Sequence, residues 1–277
     1  MRQLTLPSGN LIPVSGLGTW RMGEHPDRFQ AEADVIRGAL DLGVTLIDSA
    51  EMYGEGGAEE VIGTAIRGRR DGLFLVSKFY PHNASRSGVV EACERSLQRM
   101  DCDTIDLYLL HWPGGIPLTQ TFDALHALQE SGKIRDFGVS NFDLRDLQAI
   151  PEADQAALGC NQVFYNLAHR EPEWAVTDWC RQRGTPLMAY SPLDQAGALL
   201  RSPVLAEIAA RHECTAAQIA LAWLLHRPET VVIPKSVKLD RIEQNLAAVD
   251  IVLSAGDLQE LDSAFPAPQQ AVHLEMR

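Results

Sequence analysis

Eight alternations of a short apolar strand with a helix-length amphipathic segment predict an α/β fold, a (β/α)8 TIM barrel preceded by a short N-terminal β-hairpin. The number of units favours closure into a barrel over an open doubly wound sheet, and one further observation agrees. No G-x-G-x-x-G follows any early strand. The length of 277 residues suits one barrel, and no low-complexity linker divides the chain, so a single domain spanning 1–277 is expected.

The elements follow in order. Residues 2–14 form short extended runs around Pro7-Ser8-Gly9-Asn10, a turn cluster that reads as a hairpin plugging or flanking the barrel. Strands are predicted at 16–20, 44–48, 73–78, 105–110, 134–139, 159–163, 186–190 and 230–233. Periodicity near 3.6 residues places helices near 28–42, 57–67, 86–100, 119–131, 144–150, 171–183, 215–227 and 239–247. Strands alternating with helices imply parallel pairing and right-handed crossovers.

Composition narrows the class. With 24 basic and 37 acidic residues the net charge is −13, a poor match to nucleic acid or an anionic membrane. Cys93, Cys102, Cys160, Cys180 and Cys214 are odd in number and form no C-x-x-C pair. That argues against a disulfide framework or zinc knuckle and points to a reducing compartment. The first residues carry no long apolar stretch, and no segment approaches the roughly 18 apolar residues of a membrane span. A cytoplasmic monomer acting on a small molecule is expected. His82, His126, His169, His212 and His226 show no metal-ligand spacing, no H-x-H or H-E-x-x-H occurs, and no metal is expected.

Chemistry concentrates at the strand ends. Asp48, Lys78 and His111 close three successive apolar runs, VTLID, LFLVSK and LYLLH, and Tyr53 lies five residues beyond the first. In a β/α barrel such positions converge on one face. A phenol titrates near 10, and a neighbouring ammonium favours its anion, so Lys78 is expected to lower the Tyr53 pKa. Asp48 would keep a buried Lys78 charged. Such a set can protonate an alkoxide forming on a carbonyl oxygen, with His111 orienting that oxygen.

The stretches GLGTW (16–20), DSAEMYG (48–54), LVSK (75–78), IDLYLLHWP (105–113), GKIRDFGVSNF (132–142), NQVFYN (161–166), YSPL (190–193) and IPKSVKLDRIEQN (233–245) together resemble the aldo-keto reductase superfamily, in order and over nearly the whole chain. The resemblance implies a (β/α)8 barrel and NADPH-dependent carbonyl reduction. It also implies Tyr53 as general acid, Asp48 and Lys78 as its tuning pair, and His111 as carbonyl orienter. AEMYGEGGAEE and MAYSPLDQAG look most like bacterial members that reduce small dicarbonyls such as methylglyoxal.

Cofactor positions follow the same logic. Ser140, Asn141 and Gln162 end two strands with hydroxyl and amide groups suited to a carboxamide. The resemblance implies that they hold the nicotinamide amide, that Tyr190 stacks on the ring, and that Ser191 and Leu193 lie along the pyrophosphate. Gly18, Thr19, Trp20 and Val237 are carried over as further cofactor contacts. Lys235, Lys238 and Arg241 form a basic cluster beside Ser236 and a helix start, a phosphate-binding combination. By resemblance, Lys235, Ser236 and Arg241 hold an adenosine 2′-phosphate, and Gln244 and Asn245 meet adenine. Trp20, Tyr53, Phe79, Trp112 and Phe164 are expected to line the substrate pocket. The stretch after AFPAPQQ is short, which predicts an open pocket and broad carbonyl tolerance.

Two other functions fit parts of the pattern. A barrel aldolase or isomerase could use Lys78 as a Schiff base, although the 235–245 cluster then has no task. A nucleotide-sensing binding module would keep the cofactor site and turn over slowly.

Overall fold

The structure, a computed structural model, describes residues 2–277. Strands β1 (Gln3–Thr5) and β2 (Leu11–Pro13) form an antiparallel hairpin, with Leu4 opposite Ile12. Eight parallel strands follow: β3 (Leu17–Gly18), β4 (Leu46–Asp48), β5 (Phe74–Phe79), β6 (Ile105–Leu110), β7 (Ile134–Ser140), β8 (Asn161–Phe164), β9 (Leu187–Tyr190) and β10 (Thr230–Val232). They pair in chain order from β3 to β10. The two edges then meet. Gly16 N–H donates to the Val232 carbonyl at 2.9 Å, Val232 N–H donates to the Val14 carbonyl at 2.9 Å, and Ser15 bridges Val232 in parallel. With its edges joined, the sheet offers no free strand for pairing with another chain.

The helices between strands are α1 (Phe29–Asp41), α2 (Gly57–Ile66), α3 (Arg86–Met100), α4 (Leu118–Glu130), α5 (Leu144–Gln148), α6 (Glu152–Gln155) and α7 (Val176–Arg183). After β9 come α8 (Pro203–Arg211) and α9 (Ala216–His226), and after β10 come α10 (Leu239–Ala247) and α11 (Ala255–Ala264). Local chemistry sets several starts. Ser85 caps α3 by accepting from Gly88 N–H, and capping boxes open α9 (Thr215 with Gln218) and α11 (Ser254 with Asp257). No helix among the described residues is long and apolar enough to cross a membrane.

Alternation along each strand divides the core in two. Leu46, Phe74, Val76, Leu107, Leu109, Cys160, Met188 and Val231 fill the barrel interior, joined by Leu6 and Ile12 of the hairpin. Their neighbours Ile47, Leu75, Tyr108, Leu110, Val163 and Ala189 face the helices. The hairpin is therefore a plug. The Asn10 side chain donates to Asp136 at 2.8 Å and ties the turn to the barrel.

Candidate active site

The same alternation aims the polar residues. Leu46 is followed two positions on by Asp48, Val76 by Lys78, Leu109 by His111, Cys160 by Gln162 and Met188 by Tyr190, so each inward apolar column ends in a polar group at the C-terminal mouth. Asp48 is 2 % exposed and Lys78 is fully buried. Such a pair survives only if its hydrogen bonds are complete. Lys78 Nζ donates to Asp48 at 2.9 Å, to the Ser49 carbonyl at 2.6 Å and to the Tyr53 hydroxyl at 3.2 Å, which uses all three ammonium protons. Asp48 also accepts from the Gln162 amide at 2.7 Å.

Burial pulls the Lys78 pKa down, but the charges of Asp48 and Tyr53 outweigh it and hold the amine above its ordinary value. Burial pushes the Asp48 carboxyl up, opposed by Lys78. For Tyr53, burial pushes the phenol up and Lys78 only partly offsets it. This corrects the expectation of a lowered phenol. Tyr53 is held in its acid form, with the ammonium placed to stabilise the anion left after proton release. His111 is pushed down to about 2 by burial first and Lys78 second, so its ring is neutral. Its Nδ1 is buried without a partner among the described residues. A neutral imidazole has one N–H, and placing it on Nε2 leaves Nδ1 a bare lone pair. The Tyr53 and His111 rings meet edge to face at 6.0 Å.

These groups open onto a groove of about 650 Å³. Gly18, Trp20, Asp48, Tyr53 and His111 stand with Ser140, Asn141, Gln162, Tyr190, Ser191 and Leu193 around one part of it. Lys235, Ser236, Arg241, Gln244 and Asn245 line the same groove. At Gly18 a Cβ would come 2.9 Å from the Ile233 carbonyl, so a larger residue would displace the backbone. Asn141 and Ser191 have left-handed backbones, φ 60° and 46°. Asn tolerates this conformation, and Ser191 stores strain at the groove wall. Tyr190 donates its hydroxyl to Asn141 at 2.9 Å, and the Asn141 amide donates to the His111 carbonyl at 3.0 Å. Tyr190 and Asn141 are thus tied by hydrogen bonds to the backbone of His111. A second cavity, about 320 Å³, touches Leu187 and Thr230 at the opposite strand ends and contains none of these residues.

Five expected contacts fall outside the groove lining. Phe79 is fully buried against Tyr108, rings 5.0 Å apart, because it follows Lys78 by one residue and so faces the helices. Thr19 is also buried, and its hydroxyl donates to the Asp48 carbonyl at 2.9 Å, so it braces the site without lining it. Val237 is 46 % exposed and outside the groove lining. Phe164 has the inward parity but is covered by Tyr190, His169 and Arg277, with ring separations of 5.6 Å and 4.4 Å to the first two and 4.9 Å to the guanidinium. Trp112 is half-buried and packs on His111 at 4.9 Å.

The groove also holds groups that the sequence reading missed. Arg21 and Met52 line it, each adjacent in sequence to an expected residue. Thr215, Ala216 and Ala217 bring the start of α9 to it, signalled only by the T-x-x-Q capping box. Arg277 had no local signal. Its backbone N–H donates to the Tyr190 hydroxyl at 3.2 Å and its guanidinium pairs with Asp194 at 3.1 Å. Glu275 meets His169 at 2.7 Å and His273 meets Asp143 at 3.3 Å. Contacts of His273, Glu275 and Arg277 thus hold the tail along one rim of the groove.

A parallel eight-stranded barrel with an acid cluster at its C-terminal mouth and a long polar groove beside it defines an enzyme-like site. The chain belongs to the aldo/keto reductase family, whose model matches residues 16–265. It is 44 % identical over 272 residues to a methylglyoxal reductase of Escherichia coli, YeaE, covering 96 % of this chain and 95 % of the relative. It is 34 % identical over 261 residues to a glyoxal reductase of Bacillus subtilis, covering 93 % and 91 %. An aldo-keto reductase of Klebsiella pneumoniae crystallised with NADPH superposes with a TM-score of 0.95 at 44 % identity, over 100 % of this chain and 99 % of that one.

Proposed function

We propose that this protein reduces small aldehydes and ketones, dicarbonyls such as methylglyoxal among them, using NADPH and Tyr53 as general acid. The observation that carries the reading is the Lys78 ammonium, 2.9 Å from Asp48 and 3.2 Å from the Tyr53 hydroxyl, buried behind these two residues of the groove that Lys235 and Arg241 also line. Two relatives named as methylglyoxal and glyoxal reductases support the substrate class, and the NADPH complex of the Klebsiella protein supports the cofactor.

The residues present fit a phosphorylated dinucleotide. Lys235 and Arg241 supply positive charge in a chain of net charge −13, and Ser236 sits at the approach to α10. Gln162 spends its amide nitrogen on Asp48, which leaves its oxygen for a carboxamide N–H. Tyr190 offers an aromatic face in the same groove. When bound, NADPH supplies a hydride to the carbonyl carbon.

The chain's own residues handle the oxygen. His111, neutral, donates from Nε2 and orients it. Tyr53 transfers its phenolic proton to the developing alkoxide, giving the alcohol, and Lys78 stabilises the phenolate. Asp48 keeps Lys78 charged throughout. The Schiff-base alternative fits poorly, since a fully buried ammonium with three partners has no lone pair to attack a carbonyl.

Mixing the protein with NADPH and methylglyoxal should consume both at equal rates and yield the hydroxycarbonyl product, followed by nicotinamide absorbance. NADPH binding without consumption across a carbonyl panel would favour the sensing module. Borohydride trapping of a substrate adduct on Lys78 would favour the aldolase.

A further inference from the structure

The segment that straps the groove rim is held by a set of side chains that the reduction chemistry leaves unused. His169 lies in the loop after β8, Glu171 two residues on, and Glu275 in the tail; one ligating atom from each falls within 4.8 Å of the others. The loop is well defined. Asn166 and His169 exchange backbone hydrogen bonds at 3.1 Å, and the Asn166 side chain accepts from Ala168 N–H at 2.9 Å and His169 N–H at 3.1 Å. His169 Nδ1 faces Glu275 at 2.7 Å.

Glu171 supplies the independent observation. Its Oε2 is shut off from solvent and has no hydrogen-bond partner among the described residues. A carboxylate oxygen so placed is costly unless a donor or a cation meets it. Glu171 and Glu275 bring two carboxylates to one imidazole. The Arg277 guanidinium lies 3.9 Å from Glu275, 3.4 Å from the other ring nitrogen of His169, Nε2, and 3.1 Å from Asp194.

We propose that His169, Glu171 and Glu275 form a divalent transition-metal site of the zinc class, which cross-links the C-terminal tail to the loop after β8. One imidazole nitrogen and two carboxylate oxygens suit Zn²⁺, which binds such atoms at about 2.0–2.2 Å and completes its shell with water. Mg²⁺ prefers an all-oxygen octahedron and is expected to be rejected. Sequence spacing carries no sign of the site, since one ligand comes from the far end of the chain. Glu275 is two residues from Arg277, which contacts Tyr190, so the cation would fix the tail at the groove rim.

Isothermal titration of the full chain with ZnCl2 tests this. One equivalent should bind to the wild type, MgCl2 should give no heat, and His169→Ala and Glu171→Gln should each weaken zinc by about tenfold or more. Glu275→Gln, on an exposed tail whose change leaves the barrel intact, should weaken it similarly. Absence of zinc binding to the wild type, or equal binding by wild type and Glu275→Gln, overturns the proposal.

Discussion

His111 shows how burial decides the role of a single side chain. It is 7 % exposed, its Nδ1 has no partner among the described residues, and Lys78 repels a second positive charge, so the folded ring resists protonation down to about 2. In the unfolded chain the same ring titrates near 6.5. The unfolded state therefore binds more protons between these values, and stability falls as pH drops below about 6.5. From pH 7.5 to 5.5 this one residue should cost about 1.4 kcal/mol. Urea unfolding of wild type and His111→Asn at both pH values checks it: the variant should lose that much less. Parallel losses would mean that His111 protonates in the fold. Tyr53 teaches a related lesson. Its pairing with Lys78 was legible from residue types at strand ends, whereas the balance between the ammonium and desolvation depends on how completely the barrel encloses the phenol, which no spacing reveals.

At the scale of elements, strand parity was the most legible feature and also the source of one error. The columns ending in Asp48, Lys78, His111, Gln162 and Tyr190 follow from period two. Phe79 was assigned to the pocket by adjacency to Lys78, and the same period sends it outward. Helices α8 and α11 were not anticipated, although Pro203 at the first position of one and S-x-x-D before the other are ordinary start signals. The start of α10 carries a second prediction. Lys235, whose pKa is lowered by desolvation, and Arg241 line the groove and are the residues proposed to recognise a phosphate that NADH lacks. Replacing both with Ala should weaken NADPH by roughly a hundredfold while changing NADH by no more than about threefold, read by fluorescence titration. Equal losses for both nucleotides would remove the phosphate assignment.

For the whole molecule, barrel closure turns distant sequence into one site. Gln162 and Asp48 are 114 residues apart and share a hydrogen bond at 2.7 Å. The eightfold repeat made that convergence readable in advance, and the motif order tied it to a family. The hairpin plug was readable as a hairpin with two possible placements, and contacts of Leu6 and Ile12 with the interior decide between them. The tail was not readable, because its anchors, His169, Asp194 and Tyr190, come from loops and strand ends far back along the chain. The central claim remains proton delivery by Tyr53 under the control of Lys78. Tyr53→Phe removes the hydroxyl that Lys78 contacts at 3.2 Å and keeps the ring that packs on His111. Single-turnover reduction of methylglyoxal by the NADPH-loaded variant should slow by about 10²–10⁴-fold with NADPH affinity unchanged; a rate near that of the wild type would contradict the mechanism.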